Sequence, residues 1–214
     1  MEKNIFELNK ETYDSLAGEY QKRWKSYYEH QTEVLSHFVR EIKSKNNAKE
    51  IKILDVGCGV GLDSAIMSDH GFKAEGIDFS SEMIKFARIN VPGGKFVHTN
   101  LFDYDPGSKY KGVILDAFIH LFPKNHLQAV FNKIKDLTEE EGILYISTTL
   151  HDNPSEGFIL KGDYENKKAR FRKEWTKEEF LTELHKLGLQ LIKYYEDKED
   201  VYKKHWMNVL AAFS

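Results

Sequence analysis

The sequence predicts an α/β protein: a mostly parallel sheet with helices on both faces, ending in an antiparallel hairpin. Three observations predict it. Strand-like and helix-like segments alternate between residues 51 and 149, the pattern of a parallel sheet with crossover helices. A turn with glycine at 57, 59 and 61 joins one of those strands to the helix after it, as a sharp turn with close backbone approach requires. Two apolar stretches, 189–195 and 206–213, then follow with no helix between them.

The elements follow in order. Residues 5–22 and 27–44 carry apolar positions at helical spacing, among them Leu16 and Tyr20, then Val34, Leu35, Phe38, Val39 and Ile42. Polar residues 43–50 lead into a buried strand over 51–56. After the glycine turn come a helix at 61–70, a strand at 73–77, a helix at 81–90 with Ser80 as N-cap, and a strand at 95–98. A strand at 112–116, a helix at 124–137 and a strand at 143–149 complete the alternation, with a turn expected at Glu140-Glu141-Gly142. Thr176 and Glu179 form a capping box for a helix over 177–187, and Gly188 closes it. With 214 residues, no repeat and no low-complexity linker, the chain is expected to be one domain. Its parts are a helical cap at 1–50, a core at 51–150, an insert at 151–175, and a C-terminal helix and hairpin at 176–214.

Ligands of open parallel sheets bind outside the carboxyl ends of the strands. That rule nominates Asp55, Asp78, the loop Asn100-Leu101-Phe102-Asp103, residues 116–120, and residues 148–152. The helix after the glycine turn opens beside that ligand, with amide donors unpaired at its N-terminus. Asp78 ends a strand about twenty residues beyond the turn, where a carboxylate can accept ribose hydroxyls. The site suits a nucleoside. The glycine spacing is G-x-G-x-G rather than the dinucleotide G-x-G-x-x-G, and Asp55 stands two residues before the first glycine. A carboxylate there suits a cationic ligand better than a pyrophosphate.

Ile53-Leu54-Asp55-Val56-Gly57-Cys58-Gly59-Val60-Gly61 closely resembles motif I of the class I S-adenosylmethionine-dependent methyltransferases, and Gly76-Ile77-Asp78-Phe79-Ser80-Ser81-Glu82-Met83 resembles their motif II. The resemblance covers roughly residues 12–213 and points to the small-molecule branch. It implies a Rossmann-like seven-stranded sheet and S-adenosylmethionine as cofactor. The implied cofactor residues are Tyr20, Asp55, Gly57, Cys58, Gly59, Asp78, Phe79, Met83, Asn100, Leu101, Phe102 and Asp116. Asn100 departs from the acid common at its position, and Lys111 from the usual acid at an outer position. Tyr13 to Tyr20 resembles the cap helix that closes over the cofactor, although core packing of that helix accounts for the same residues.

Candidate catalytic groups are Asp116, His120 and Tyr20. Asp116 reads equally as a helix N-cap, and His120 as a packed, hydrogen-bonded histidine. Candidate acceptor-binding residues are Trp24, His151, Lys161, Arg170 and Arg172. The basic run Lys167, Lys168, Arg170, Arg172 and Lys173, interleaved with Phe171 and Trp175, is either a solvated face or a clamp for a carboxylate or phosphate. Asn208 is a core residue of the last strand that can face the pocket. Cys58, the only cysteine, reads as a small side chain in a crowded turn.

Apolar and charged fractions of 41% and 30% are those of an ordinary soluble protein. A net charge of −3 argues against a general nucleic-acid footprint. The rival reading is therefore an RNA-modifying or RNA-binding protein that uses 167–173. The glycine spacing disfavours an NAD-dependent oxidoreductase, while a catalytically dead cofactor-binding scaffold stays open. No signal-peptide pattern or membrane-length apolar run is present and one cysteine forms no internal disulfide, so a cytoplasmic location is expected. The expected partner is a small-molecule acceptor, carrying an anionic group if the clamp reading holds, with the chain a monomer or homodimer. Asp116 with Asp152-Asn153 offers only a loose carboxylate set, so no metal is expected.

Overall fold

The computed structural model describes residues 5–45, 50–161, 167–199 and 203–214. Helix α1 (Ile5–Ser44) is continuous, not two helices. Residues 23–26, between the two expected segments, contain neither proline nor glycine, so nothing breaks it. Its 40 residues span about 60 Å. The C-terminal half buries Val34, Leu35, Phe38, Val39 and Ile42 against the sheet. The N-terminal half projects over the sheet's carboxyl edge.

The core alternates as expected: β1 (Lys52–Val56), α2 (Leu62–Asp69), β2 (Lys73–Asp78), α3 (Ser81–Asn90), β3 (Lys95–His98), β4 (Tyr110–Leu115), α4 (Leu127–Leu137) and β5 (Thr138–Thr149). A hairpin of β6 (Ser155–Lys161) and β7 (Lys168–Glu174) comes next, then α5 (Lys177–Lys186), β8 (Leu189–Glu199) and β9 (Lys204–Phe213). The main sheet has the order β3-β2-β1-β4-β5-β9-β8. Strands β3 to β5 in that order are parallel, and β9 and β8 antiparallel. The seven strands, the helices on both faces and the terminal hairpin match the expectation.

Alternation along the strands divides the core. Leu144 and Ile146 of β5 join Val130, Phe131 and Ile134 of α4 and Phe180 and Leu184 of α5 on one face. Ile143 and Tyr145 join α1 and Ile66 and Met67 of α2 on the other. Ser80 caps α3, accepting from the Met83 amide at 3.2 Å, and Thr176 caps α5 through the Glu179 amide, also at 3.2 Å.

Several boundaries differ, three of them with a consequence for the sheet or the site. The turn expected at 140–142 is extended backbone, because Thr138 pairs with Tyr110 across a register shift before Gly112. The first turn of the helix expected at 124–137 is a 3-10 turn, 124–126. Strand β4 ends at Leu115, which leaves Asp116 outside it.

The insert is a separate two-stranded sheet tied to α1. Thr12 Oγ1 donates to the Ala169 carbonyl (2.6 Å), the Phe171 amide donates to Asn9 Oδ1 (2.8 Å), and Arg170 Nη1 donates to the Tyr13 hydroxyl (2.6 Å). Asn9 Nδ2 also donates to the Leu121 carbonyl at 3.3 Å. No helix of the described residues is long and apolar enough to cross a membrane.

Candidate functional site

Two adjoining cavities open at the carboxyl ends of the parallel strands, sharing Gly57, Asp78, Phe79, Phe118 and Leu121 as a common wall. The first, about 250 Å³, runs beneath α1 and the insert hairpin. The second, about 380 Å³, lies over the β2 and β3 ends and is walled by Leu101, Phe102 and Phe122.

The glycine turn shapes the junction. Gly57 and Gly59 have φ of 74° and 51°, which side-chain-bearing residues rarely adopt. A Cβ on Gly57 would stand 2.7 Å from Phe118 Cδ2, so glycine there admits the Phe118 ring. Gly59 lines the first cavity, and a Cβ there would meet nothing within 4 Å. The Gly57 and Cys58 amides donate to the Ile77 carbonyl (2.8 and 3.0 Å). The Ser64 amide at the start of α2 donates to Asp55. The amides of Gly57, Cys58 and Ser64 thus hold strands and carboxylates together.

Asp78 is buried at the junction. Its oxygens accept from the Gly59 amide (2.9 Å) and the Ser80 amide (2.8 Å), and each keeps a lone pair for a further donor. Burial pushes its pKa up to about 6, against the pull of those two amides. Asn100 turns inward on its own loop, its Oδ1 accepting from the Phe102 and Asp103 amides (2.8 and 3.0 Å). Leu101 and Phe102 face the second cavity.

The first cavity is acidic at its floor. Asp55 Oδ2 accepts from Ser64 Oγ (2.7 Å) and the Ser64 amide (3.2 Å). Burial, with Asp116 and Asp78 adding, pushes Asp55 up to about 7. Asp63 and Asp116 are raised by burial too. Gln31 Nε2 bridges them, 2.9 Å from Asp63 Oδ1 and 3.4 Å from Asp116 Oδ2. Asp116 caps no helix: its other oxygen accepts from the Ser147 hydroxyl. Ala117 beside it has φ of 50°, a conformation costly for alanine, and its amide donates to Ser147 Oγ at 2.9 Å.

Tyr20 and Trp24 of α1 lie over this cavity, packed with Val60 and Met83. His120 is buried on its wall, Nδ1 3.3 Å from Thr148 Oγ1. Asn208 reaches it from β9; its Oδ1 accepts from the Tyr145 hydroxyl (2.7 Å) and its Nδ2 has no partner among the described residues.

Arg170 and Arg172, alternate residues of β7, are buried on the cavity wall. The basic run therefore forms no continuous solvated face. Lys173 points the other way, buried between Glu179 (2.7 Å) and the Trp175 ring (4.6 Å), and only Lys167 and Lys168 are exposed. His151 does not line the cavity: its Nε2 is 3.0 Å from Thr149 Oγ1 and its Nδ1 3.6 Å from Glu174. The side chain of Lys161 lies outside the described residues. Gln31 and Asp63 belong to the site without having been singled out, whereas Phe118 and Thr149 fall within the nominated stretches 116–120 and 148–152, and Tyr13 within the cap-helix stretch. Asp63 carried a signal, an acid in the first turn of the helix after the glycines; Gln31 carried none. Among the described residues, no cluster of His, Cys, Asp and Glu is arranged to hold a metal ion.

A family model described as a methyltransferase domain matches residues 27–194. A putative methyltransferase of Geobacillus sp. (strain WCH70) is 26% identical over 147 residues, covering 62% of this chain and 56% of the relative. The dTDP-3-amino-3,6-dideoxy-alpha-D-glucopyranose N,N-dimethyltransferase of Streptomyces fradiae is 23% identical over 124 residues, covering 56% and 49%. The chain thus spans about half the length of these curated relatives. The solved DhpI–SAH complex has the same fold, with a TM-score of 0.72 at 16% identity over 100% of this chain and 99% of that one.

Proposed function

The chain belongs to the methyltransferase domain family, and from that premise we propose that it transfers a methyl group from S-adenosylmethionine to oxygen or nitrogen of a small-molecule acceptor. The observation that carries this is the shared wall of the two cavities: an apolar slot and an acid-floored chamber meet at Asp78 and the glycine turn. That arrangement fits a nucleoside with a cationic tail. Leu101, Phe102 and Phe79 would flank the base, Asp78 would accept the ribose hydroxyls, and Asp55 with the 57–59 turn would face the amino-acid end. A pyrophosphate fits poorly beside Asp55, Asp63 and Asp116. Bound there, the cofactor supplies an activated methyl group on a sulfonium.

The protein's own work is then positioning, worth roughly 7–11 kcal/mol of barrier when reacting groups are held in line. Tyr20 and Trp24 shut water out from above. The Gln31 and Ser147 bonds fix the Asp116 carboxylate at the chamber floor. Three groups in reach of an acceptor can take its proton: Asp116, His120 and the Tyr20 hydroxyl. Asp116 suits the role in that burial raises its proton affinity above that of an ordinary carboxylate. The S. fradiae relative, named for nitrogen methylation of a sugar nucleotide, supports a small-molecule acceptor. Burial of Arg170, Arg172 and Lys173 removes the surface on which the RNA alternative relied. Calorimetry with S-adenosylmethionine, S-adenosylhomocysteine and NAD tests the assignment, with micromolar binding of the first two expected. Tighter binding of NAD overturns it.

A further inference from the structure

The insert hairpin places two guanidinium groups inside the chamber and gives one of them no counter-ion. Arg172 is 8% exposed. Its Nη2 donates to Thr149 Oγ1, its Nε has no partner, and no carboxylate of the described residues lies within ion-pair distance of it. Arg170, 4% exposed, stands two residues away on the same strand face, with Nη1 on the Tyr13 hydroxyl. Burial, with Arg170 adding, pulls Arg172 down to about 10. A buried charge left without a partner costs folding energy, and stability is commonly given up where function needs it. The floor acids do not serve Arg172: Asp55, Asp63 and Asp116 bond to Ser64, Gln31 and Ser147.

We propose that Arg170 and Arg172, with Tyr13 and Thr149, form the binding site for a compact oxyanion of the methyl acceptor: a carboxylate, phosphate or phosphonate. The word acceptor rests on the methyltransferase reading; the anion site does not. Position separates this site from the cofactor's. Thr149 ends β5, three strands from Asp78 on β2 in the order β2-β1-β4-β5, about 14 Å at the usual strand spacing. A guanidinium fork matches two oxygens of such a group at once. Since Tyr13 lies on α1 and the arginines on β7, a bound anion would join the cap helix to the insert.

The test uses methylphosphonate and acetate as probes, read as dose-dependent rises in melting temperature at constant ionic strength, with and without S-adenosylhomocysteine. The wild type and a Lys167→Ala/Lys168→Ala variant are expected to show the same rise with at least one probe. Arg172→Leu should need at least tenfold more anion, and Arg170→Leu gives a second variant should the first not fold. S-adenosylhomocysteine affinity, measured on the same samples, should stay within threefold in both arginine variants. No rise in the wild type, or an equal rise in the arginine variants, overturns the proposal. So does a tenfold loss of S-adenosylhomocysteine affinity in Arg172→Leu, which would give the pair to the cofactor's carboxylate. Failure of the wild type to bind S-adenosylhomocysteine would sink the methyltransferase reading, while the anion rise still decides this one.

Discussion

Replacing Asp55 by asparagine isolates the electrostatic strain held under the glycine turn. Asp55 is 2% exposed and is pushed from its ordinary 3.8 to about 7, first by burial and then by Asp116 and Asp78. Below pH 3.8 both folded and unfolded chains carry the proton, and the acid contributes nothing. Between 3.8 and about 7 the unfolded chain gives the proton up while the folded chain keeps it, so stability falls as pH rises. The fall is about 1.4 kcal/mol per pH unit, and about three units amount to about 4 kcal/mol, complete above about pH 7. An asparagine there would keep an acceptor for Ser64 and carry no charge at any pH. In urea unfolding at fixed ionic strength, Asp55→Asn should therefore gain a few kcal/mol on the wild type between about pH 4.5 and about pH 8. A bound cation should reverse this, so S-adenosylmethionine affinity should climb with pH in the wild type more than in the variant. A stability difference that stays flat with pH, or moves toward the wild type, refutes the reasoning.

Two further substitutions probe the junction. Asp78→Ala removes the proposed ribose acceptor, and charge-assisted bonds of about 1.5–3 kcal/mol each predict a loss of tenfold or more in S-adenosylhomocysteine affinity by calorimetry; unchanged affinity would place the nucleoside elsewhere. Gly57→Ala forces a left-handed alanine, costing about 1–2 kcal/mol, and drives its Cβ into Phe118, so both melting temperature and cofactor affinity should drop. Normal values for both would mean that neither the ring nor the turn is held as described.

The alternation of elements was legible because each strand is a short apolar run and helices such as α3 and α5 carry their own caps, Ser80 and Thr176. The glycine turn and Asp78 were legible because their chemistry is local in sequence. What escaped depended on contacts between distant segments. Gln31 is one polar residue among many on a long helix, and only the fold brings it to Asp63 and Asp116. Thr149 joins Arg172 across 23 residues, and Tyr13 joins Arg170 across 157. The basic run left two readings open because a count of charges cannot show strand alternation. In β7 the period of two sends Arg170 and Arg172 inward and Lys173 to the opposite face.

Helix α1 has a consequence for how fast ligands come and go. Its C-terminal half is part of the hydrophobic core, while its N-terminal half is fastened to the hairpin through Asn9, Thr12 and Tyr13 and to the start of α3 through Asp14, which accepts from Ser80 Oγ at 2.6 Å. Besides those bonds, the N-terminal half buries Leu16 and Ala17 and packs Tyr20 and Trp24 on Val60 and Met83, a narrower apolar contact than the one behind it. A local opening of residues 5–20 that leaves the sheet intact is the expected route of ligand exchange. Ligand occupancy and amide protection of this one stretch should accordingly rise and fall together in hydrogen exchange, with the 34–42 segment unmoved. On that expectation, access would be governed by the first half of a helix whose second half belongs to the core.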